Sequence, residues 1–321
     1  MRVLISIGER NFPRDVAEGL EALAEVIYLS AREKGYWEAL REAVALVAGG
    51  ERIDEEFLDR APRLRLVARF GVGYDNVDVE ACTRRGVYVT HTPGVLSGAV
   101  ADLTWGLILS LARGLPGADR FVRERWAQGL ERLPFGFDLE GKTLGIIGLG
   151  RIGAEVARRA QGFGVRVLYH DVVRKPELEE AYGVEYAPLE ELLRASDIVS
   201  IHVPLLPSTE RLIGERELRM MKPTALLINT SRGRVIDQRA LLKALREGWI
   251  KGAGLDVYEE EPIPLDDPLL RLENVVLTPH IGSATRETRR RMAEACALNV
   301  KAVLEGRRPP NLVPEQRIDD R

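Results

Sequence analysis

Short apolar runs alternate with amphipathic segments along most of the chain. In the first third, the apolar runs predict strands at 3–7, 26–29, 44–48, 66–69 and 87–90. A second series predicts strands at 143–147, 166–170, 198–202, 225–229, 252–256 and 275–278. Helical patterns lie between the strands, for example at 13–23, 54–59, 78–85 and 151–163. Strands that alternate with helices are typical of parallel sheets covered by helices. The pattern therefore predicts an α/β fold with two doubly wound, parallel-sheet domains.

Two longer helical patterns follow the first and second series, at about 99–125 and 283–305. The first half of the earlier one is apolar on most of its faces, which indicates burial in a core or in a subunit interface. Because this apolar face looks too wide for one core, we expect residues 100–111 and the segment after them to form a symmetric homodimer contact. Residues 129–141 are predicted to be an irregular loop, and 306–321 an extended tail.

Composition narrows the class of protein. The 321 residues are 45% apolar and 30% charged, which is typical of a globular chain of two domains or one large one. With a net charge of −3, no basic field favours nucleic acid as a partner. Two cysteines cannot form a disulfide framework, and the four histidines lack metal-ligand spacing, so no metal is expected. Since no signal peptide or membrane-length apolar run occurs, we expect a cytoplasmic protein without a membrane partner.

A glycine-rich motif follows the strand predicted at 143–147 and opens the helix predicted at 151–163. Its residues are Gly148, Leu149, Gly150, Arg151, Ile152 and Gly153. In this strand–turn–helix context the first glycine permits a tight turn, the second lets the backbone approach a pyrophosphate, and the third allows close helix–strand packing. The helix N-terminus adds free N–H groups and partial positive charge. The sequence therefore predicts a dinucleotide site; a structural glycine turn without a ligand is the alternative.

The nucleotide preference depends on the residue that ends the next predicted strand. Asp171 lies 23 residues after Gly148, where an acid can accept hydrogen bonds from ribose hydroxyls and repel a 2′-phosphate. NAD is therefore favoured. Arg174 and Lys175 are close enough in sequence to bind a phosphate, so NADP is the alternative cofactor.

Another predicted strand ends at His202 and is followed by Val203, Pro204 and, slightly later, Thr209. Strand carboxyl ends line the ligand crevice in such sheets, so we count Val203, Pro204 and Thr209 among the cofactor contacts. His202 could be a polar contact, although its position is more typical of a structural histidine.

Three further strand ends carry an arginine, a group of acids and a histidine. They are Arg232, the run of glutamates at 259–261, and His280. Arginine can bind a carboxylate through two hydrogen bonds, a histidine exchanges protons near neutral pH, and an acid orients the imidazole. This set suits reduction of a carbonyl group. As alternatives, the arginine could be a surface group, the glutamates an exposed loop, and the histidine a helix cap; spacing does not decide which glutamate takes part.

These motifs together resemble the D-isomer-specific 2-hydroxyacid dehydrogenase family, and within it the glyoxylate/hydroxypyruvate reductases. The segments that carry the resemblance are GLGRIG (148–153) with Asp171, HVPL (202–205), NTSRG (229–233), GLDVYEEEP (254–262) and TPHIGS (278–283). It extends to FGVGYDN (70–76) and NLV (311–313), and so covers most of the chain.

The resemblance implies a role for individual residues. Arg232, Glu261 and His280 would be the catalytic set, and Arg232 would also contact the substrate. The backbone N–H groups of Val72 and Gly73 would hold the substrate carboxylate, as a glycine-rich turn can. Residues near the nicotinamide end of the cofactor would be Thr104, Thr230, Asp256 and Gly282.

The resemblance also implies the organisation and activity of the chain. A Rossmann-type NAD-binding domain at 99–286 would be inserted into a flavodoxin-like substrate-binding domain formed by 1–98 and 287–321. The expected activity is hydride transfer between a nicotinamide cofactor and a small 2-oxo or 2-hydroxy acid, with glyoxylate or hydroxypyruvate as the expected substrate. Two alternatives stay open: a D-3-phosphoglycerate dehydrogenase, and a non-catalytic NAD-sensing regulator on the same fold.

Overall fold

A computed structural model describes residues 1–128 and 133–318, so the loop predicted at 129–141 and the tail predicted at 306–321 fall partly outside the described residues. The chain forms two compact units. Unit 1 consists of Met1–Leu96 and Ser283–Arg321, and unit 2 of Ser97–Gly282.

Both units are parallel sheets covered by helices, which confirms the predicted α/β class. The strands are β1 (Arg2–Ile5), β2 (Glu25–Tyr28), β3 (Ala45–Ala48), β4 (Leu66–Arg69), β5 (Tyr88–Thr90), β6 (Thr143–Ile147), β7 (Arg166–His170), β8 (Glu185–Tyr186), β9 (Ile198–Ile201), β10 (Leu226–Asn229), β11 (Gly252–Leu255) and β12 (Val275–Leu277). The strands predicted from the apolar runs all form, with ends shifted by at most two residues, whereas β8 was not predicted.

The helices connect successive strands. They are α1 (Arg14–Glu21), α2 (Tyr36–Glu42), α3 (Glu55–Asp59), α4 (Val79–Arg84), α5 (Ser97–Arg113), α6 (Leu115–Glu124), α7 (Arg151–Ala160), α8 (Pro176–Tyr182), α9 (Leu189–Ala195), α10 (Glu215–Met220), α11 (Gln238–Glu247) and α12 (Arg286–Leu304). Short 3₁₀ turns occur at Trp126–Gln128, Gln161–Phe163, Gly233–Val235 and Pro268–Arg271. Among the described helices, none combines the length and the apolar character that crossing a bilayer requires.

Unit 1 is a five-stranded sheet in the order β2-β1-β3-β4-β5, and its strand pairs are parallel. Its central strand β3 is buried along its whole length, as expected for a strand covered by helices on both faces. The C-terminal tail returns to the edge of this sheet, where Leu312 bridges Thr90 in an antiparallel sense. Gln316 fastens it there, accepting from the N–H of Val89 at 2.7 Å and donating to the carbonyl of Val87 at 2.8 Å.

Unit 2 is a seven-stranded sheet in the order β12-β11-β10-β9-β6-β7-β8, again parallel throughout. The chain starts at β6, runs outward through β7 and β8, and then returns to β9 on the other side of β6. The strand order therefore reverses between β6 and β9. In sheets of this kind, ligands bind beyond the carboxyl ends of the strands at such a reversal.

Helix α5 is covered on two sides within unit 2. It packs against α7 and against strands β10, β11 and β12, and most of its apolar residues are buried. The indole of Trp105 stacks on Phe163 with ring centroids 4.2 Å apart and donates to the carbonyl of Val156 at 3.1 Å. The expectation that residues 100–111 are too apolar for one core is therefore wrong, because the sheet and α7 bury different faces of the same helix.

Candidate active site

Three neighbouring strands of unit 2 end in the polar loops singled out in the sequence. Arg232 follows β10, Glu261 follows β11, and His280 follows β12. Because parallel strands deliver their carboxyl ends to one edge of a sheet, these loops lie side by side. The Nδ1 atom of His280 lies 2.6 Å from Oε2 of Glu261. A carboxylate oxygen only accepts, so the imidazole donates from Nδ1 and its Nε2 remains for another partner.

The structure also distinguishes Glu261 from the nearby Glu259. Glu261 contacts His280 and accepts a second hydrogen bond from the N–H of Tyr258 at 3.1 Å. Glu259 instead accepts from the N–H of Gln238 at 3.4 Å. Burial opposes ionisation of Glu261, but its hydrogen bonds and the nearby charges of His280 and Arg232 keep its pKa below the ordinary value. The residue is therefore an ionised partner for His280 at neutral pH.

Asn229 organises the loop that carries Arg232. Its amide nitrogen donates to the carbonyl of Arg232 at 2.9 Å, and its amide oxygen accepts from the N–H and the hydroxyl of Ser231 at 3.0 and 2.8 Å. The Arg232 guanidinium donates to the carbonyl of Ser231 at 2.8 Å. Sequence reasoning assigned Asn229 no role, although an amide at the last position of a buried strand was the available signal.

Gly233 brings this loop against the loop that follows β11. A Cβ atom at position 233 would lie 1.9 Å from the carbonyl carbon of Tyr258, so only glycine fits. The hydroxyl of Tyr258 in turn donates to the carbonyl of Thr278 at 2.9 Å, in the loop that follows β12. The three loops are thus connected to one another by direct contacts.

Asp256 holds the loop that presents His280. The residue is buried, with 1% of its surface exposed. It accepts from the Thr278 hydroxyl at 2.6 Å and from the N–H groups of Ile281 and Gly282, both at 2.8 Å. His280 has a φ of 53°, a left-handed conformation that is unusual for a residue with a side chain. The bonds on either side of it hold this conformation.

The residues expected near the nicotinamide lie close to one another. The Thr104 hydroxyl donates to the carbonyl of Val100 at 2.9 Å and lies 3.0 Å from the Thr230 hydroxyl. A Cβ atom at Gly282 would lie 3.2 Å from a carboxylate oxygen of Asp256 and 3.3 Å from the side chain of Val100. The three hydrogen bonds of Asp256 to the His280 loop are a structural function that the sequence reasoning did not find.

The glycine-rich turn has the features that a dinucleotide requires. Gly148 has a φ of +95°, and a Cβ atom there would lie 2.9 Å from the backbone of His202. A Cβ atom at Gly153 would lie 2.1 Å from the carbonyl oxygen of Gly148, so helix and turn are as close as the motif predicts. At Gly150, by contrast, a Cβ atom would meet nothing within 4 Å, and α7 begins there without a side-chain cap. The backbone is therefore approachable at the helix N-terminus, which fits a pyrophosphate; Arg151 is exposed there and Ile152 half-buried.

Asp171 and Arg174 have different environments at the end of β7. Asp171 accepts from the N–H of Leu149 at 2.8 Å, which ties the strand end to the glycine turn. Arg174 donates twice to Glu179, at 2.8 and 2.9 Å, and Tyr169 donates to the same carboxylate at 2.6 Å. These two partners lower the pKa of Glu179 to about 2, so it stays ionised. The guanidinium of Arg174 is therefore already paired with Glu179. Its neighbour Lys175 is half-buried.

The loop after β9 is arranged around its own side chains. The Thr209 hydroxyl donates to the carbonyl of Pro204 at 2.6 Å and accepts from the N–H of Leu206 at 2.8 Å. The side chain of Val203 lies 2.9 Å from where a Cβ of Gly148 would be. His202 pairs with the hydroxyl of Ser200 at 2.8 Å, and burial lowers its pKa to about 3. His202 is therefore neutral at pH 7, and its buried Nδ1 has no hydrogen-bond partner among the described residues.

Val72 and Gly73 belong to unit 1, in the half-buried turn after β4. Within the part of the chain that the structure describes, neither backbone N–H donates to a protein acceptor. The carbonyl of Gly71, just before them, accepts from the N–H of Thr92 at 2.9 Å. The turn thus presents two unused donors, which is the arrangement that an anion requires.

Comparison with known proteins confirms the resemblance. A family model described as "D-isomer specific 2-hydroxyacid dehydrogenase, NAD binding domain" matches residues 105–282, which include the glycine-rich turn and the three loops. The chain is 57% identical over 268 residues to the glyoxylate reductase of Korarchaeum cryptofilum, which is 83% of this chain and 81% of that protein.

Two crystal structures of similar proteins contain a nicotinamide cofactor. One is an NADPH-dependent glyoxylate/hydroxypyruvate reductase from Sinorhizobium meliloti in complex with NADP and malonate, with a TM-score of 0.88, 36% identity and coverage of 100% of this chain and 98% of that one. The other is a D-lactate dehydrogenase from Aquifex aeolicus with NAD and lactic acid, with a TM-score of 0.86, 33% identity and coverage of 95% and 96%. On these grounds, the chain belongs to the D-isomer-specific 2-hydroxyacid dehydrogenase family, whose members are NAD(P)-dependent enzymes.

Proposed function

We propose that this chain is a glyoxylate/hydroxypyruvate reductase, which converts a small 2-oxo acid to the corresponding 2-hydroxy acid. The observation that carries the proposal is the 2.6 Å contact between His280 and Glu261, beside the Arg232 loop at one edge of the NAD-binding unit. The similarity to glyoxylate reductases at more than half of the aligned positions supports this substrate class.

In the proposed reaction, His280 is the acid that protonates the substrate oxygen. Its Nδ1 donates to Glu261, so Nε2 is the atom that exchanges the proton. Glu261 fixes the orientation of the imidazole and stabilises its charged form. Arg232 binds the substrate's carboxylate and carbonyl with its planar, two-pronged donor set. The bound nicotinamide cofactor supplies the hydride that reduces the 2-oxo carbon.

The two units have different proposed roles. In unit 1, the N–H groups of Val72 and Gly73 hold the substrate carboxylate. In unit 2, the backbone at Gly150 and the start of α7 bind the pyrophosphate. The further cofactor contacts of this proposal are Gly148, Arg151, Ile152, Gly153, Asp171, Val203, Pro204 and Thr209, together with Thr104, Thr230, Asp256 and Gly282 at the nicotinamide end. The cytoplasmic location expected from the sequence stays a prediction.

Turnover with a panel of oxo acids tests this function. We expect NADH oxidation with glyoxylate and hydroxypyruvate to have a higher kcat/KM than with pyruvate, in line with the similarity to glyoxylate reductases. The kcat/KM should also exceed that for 3-phosphohydroxypyruvate, because the proposed site pairs a single carboxylate with one arginine and assigns no group to a phosphate. A preference for 3-phosphohydroxypyruvate would instead favour a phosphoglycerate dehydrogenase. Binding of NADH without turnover of any of the four acids would favour the regulatory alternative.

Arg232→Lys should impair reduction severely, although it conserves the charge. Lysine lacks the planar fork, so the oxo acid is misplaced, and kcat/KM should fall on the order of a hundredfold. Arg234→Lys is the matched control, because Arg234 is exposed two residues away and pairs with Glu210 at 2.6 Å. In steady-state kinetics with glyoxylate, the kcat/KM of this control should be close to that of wild type. Near-normal kinetics of Arg232→Lys would remove Arg232 from the catalytic set.

We further propose that the enzyme prefers NADH to NADPH because Asp171 repels a 2′-phosphate. Asp171→Asn keeps an oxygen for the Leu149 N–H but removes the charge. The ratio of kcat/KM for NADH to that for NADPH should therefore fall at least about tenfold, or about 1.4 kcal/mol. Glu177→Gln, which removes an exposed charge from nearby α8, should leave the ratio unchanged. A wild-type preference for NADPH would contradict the assignment of Asp171.

We infer a homodimer, with its contact on α6 and the segments beside it rather than on α5. Helix α6 buries none of its residues within the chain. Several large apolar side chains are exposed on or near it: Leu115 (50%), Val122 (53%), Trp126 (64%) and Phe135 (100%). A ten-residue helix gains little stability without an apolar contact, so a second copy of the chain is the proposed cover.

Light scattering at micromolar concentration should therefore give the mass of a dimer. Trp126→Asp should shift the distribution towards monomer, because it places a charge in the proposed contact. Leu265→Asp is the control, since Leu265 is 96% exposed in another part of unit 2, and it should remain dimeric. A wild-type monomer would end this proposal.

A further inference from the structure

The turn after β4 is held from one side by the end of β5. The N–H of Thr92 donates to the carbonyl of Gly71 at 2.9 Å. The side chain of His91 lies next to it, with Nδ1 3.0 Å from the carbonyl oxygen of Val72. A carbonyl oxygen only accepts, so His91 carries its proton on Nδ1. Two consecutive carbonyl groups are thus bound by two consecutive residues of unit 1.

Peptide geometry turns these two contacts into an orientation of the donors. In a trans peptide, the C=O of one residue and the N–H of the next point in opposite directions. Binding of the Gly71 carbonyl therefore directs the Val72 N–H away from β5, and binding of the Val72 carbonyl does the same for Gly73 N–H. These are the two donors that have no protein acceptor within the described residues.

The Val72–Gly73 peptide needs this constraint more than most. Glycine occupies regions of φ/ψ space closed to other residues, so a peptide that precedes glycine can rotate with little steric cost. After such a rotation the Gly73 N–H would be replaced by the Val72 carbonyl, which would repel a carboxylate. His91 opposes the rotation, because it would lose its acceptor.

The ring of His91 is itself held in place. The ring of Tyr74 packs edge-on against it, with centroids 5.6 Å apart and planes at 87°. The Tyr74 hydroxyl donates to the carboxylate of Glu315 in the C-terminal tail, at 2.7 and 2.9 Å. The N–H of His91 donates to the carbonyl of Asn311 in the same tail at 3.1 Å. The imidazole therefore has a fixed position from which to bind the turn.

We propose that His91 is a positioning residue for the substrate carboxylate, which acts by fixing the Val72–Gly73 peptide so that the Gly73 N–H faces the substrate. The inference rests on the proposed function, since it takes the turn to be the carboxylate site. His91 contacts neither the reacting atoms nor the cofactor in this role. Its loss should therefore weaken binding of the oxo acid and leave proton transfer by His280 largely intact.

Two substitutions separate the donor from the ring. His91→Phe keeps a ring against Tyr74 but has no donor, whereas His91→Asn loses the ring but can place an amide N–H near the position of Nδ1. We expect His91→Phe to raise the KM for glyoxylate about tenfold, with kcat changed less than threefold. His91→Asn should restore KM to within about threefold of wild type.

Direct binding provides a readout that does not need turnover. The dissociation constant of oxamate, a non-reactive analogue of a 2-oxo acid, should rise about tenfold in His91→Phe and recover in His91→Asn when measured on the enzyme–NADH complex. The dissociation constant of NADH, followed by fluorescence, should be equal in all three proteins. If His91 had only a structural role, the dissociation constants of both oxamate and NADH would change. The change would then depend on loss of the ring, as in His91→Asn, rather than on loss of the donor, as in His91→Phe.

The outcomes distinguish this proposal from the proposed function. Wild type could fail to reduce glyoxylate while the oxamate dissociation constant rises in His91→Phe and recovers in His91→Asn. In that case the proposed function is wrong and the role of His91 stands. If wild type reduces glyoxylate but the three proteins bind oxamate equally, or both variants weaken it alike, the role of His91 is wrong. Wild-type enzyme that neither reduces glyoxylate nor binds oxamate would overturn both.

Discussion

The arrangement of the candidate site depends on the hydrogen bonds that the buried carboxylate of Asp256 accepts. Removing a carboxylate from water is costly unless hydrogen bonds replace its hydration. Asp256 meets this requirement with three donors, and all three belong to the loop after β12. Two of them are the consecutive N–H groups that follow His280. The same three hydrogen bonds therefore replace the hydration of the Asp256 carboxylate and hold His280 in its left-handed conformation.

From this loop the constraint extends across the neighbouring strand ends. Tyr258 connects the loops after β11 and β12 through its hydroxyl, and the close approach of Gly233 to its backbone connects the loop after β10. Each loop starts from a strand that the sheet holds in register with its neighbour. Side chains on such supported loops keep their spacing, so the His280–Glu261 contact follows from the packing of the backbone below it.

The sequence could predict the strands and the positions of the chemical loops, because strands of a covered parallel sheet are continuous apolar runs and polar residues mark their ends. It could not choose Glu261 by spacing, since the direction of a loop side chain depends on partners such as the Tyr258 N–H. Asn229 and His91 were missed for the same reason: they bind backbone atoms, which leave no pattern in sequence. The burial of α5 was misjudged because an apolar stretch does not reveal how many layers cover it.

Both proposed anion sites of this chain include backbone N–H groups, and at the substrate carboxylate the proposed site adds Arg232. At Gly150 the start of α7 supplies the donors, and at Gly73 a turn supplies them. Such donors carry no flexible side chain, so little conformational entropy is lost when they bind, but they bind only when the peptide faces the right way. Arg174 shows the opposite case, because Glu179 already occupies its guanidinium. In both proposed sites, therefore, selectivity for an anion would depend on what fixes the orientation of a peptide: the start of a helix in unit 2, and the end of β5 with His91 in unit 1.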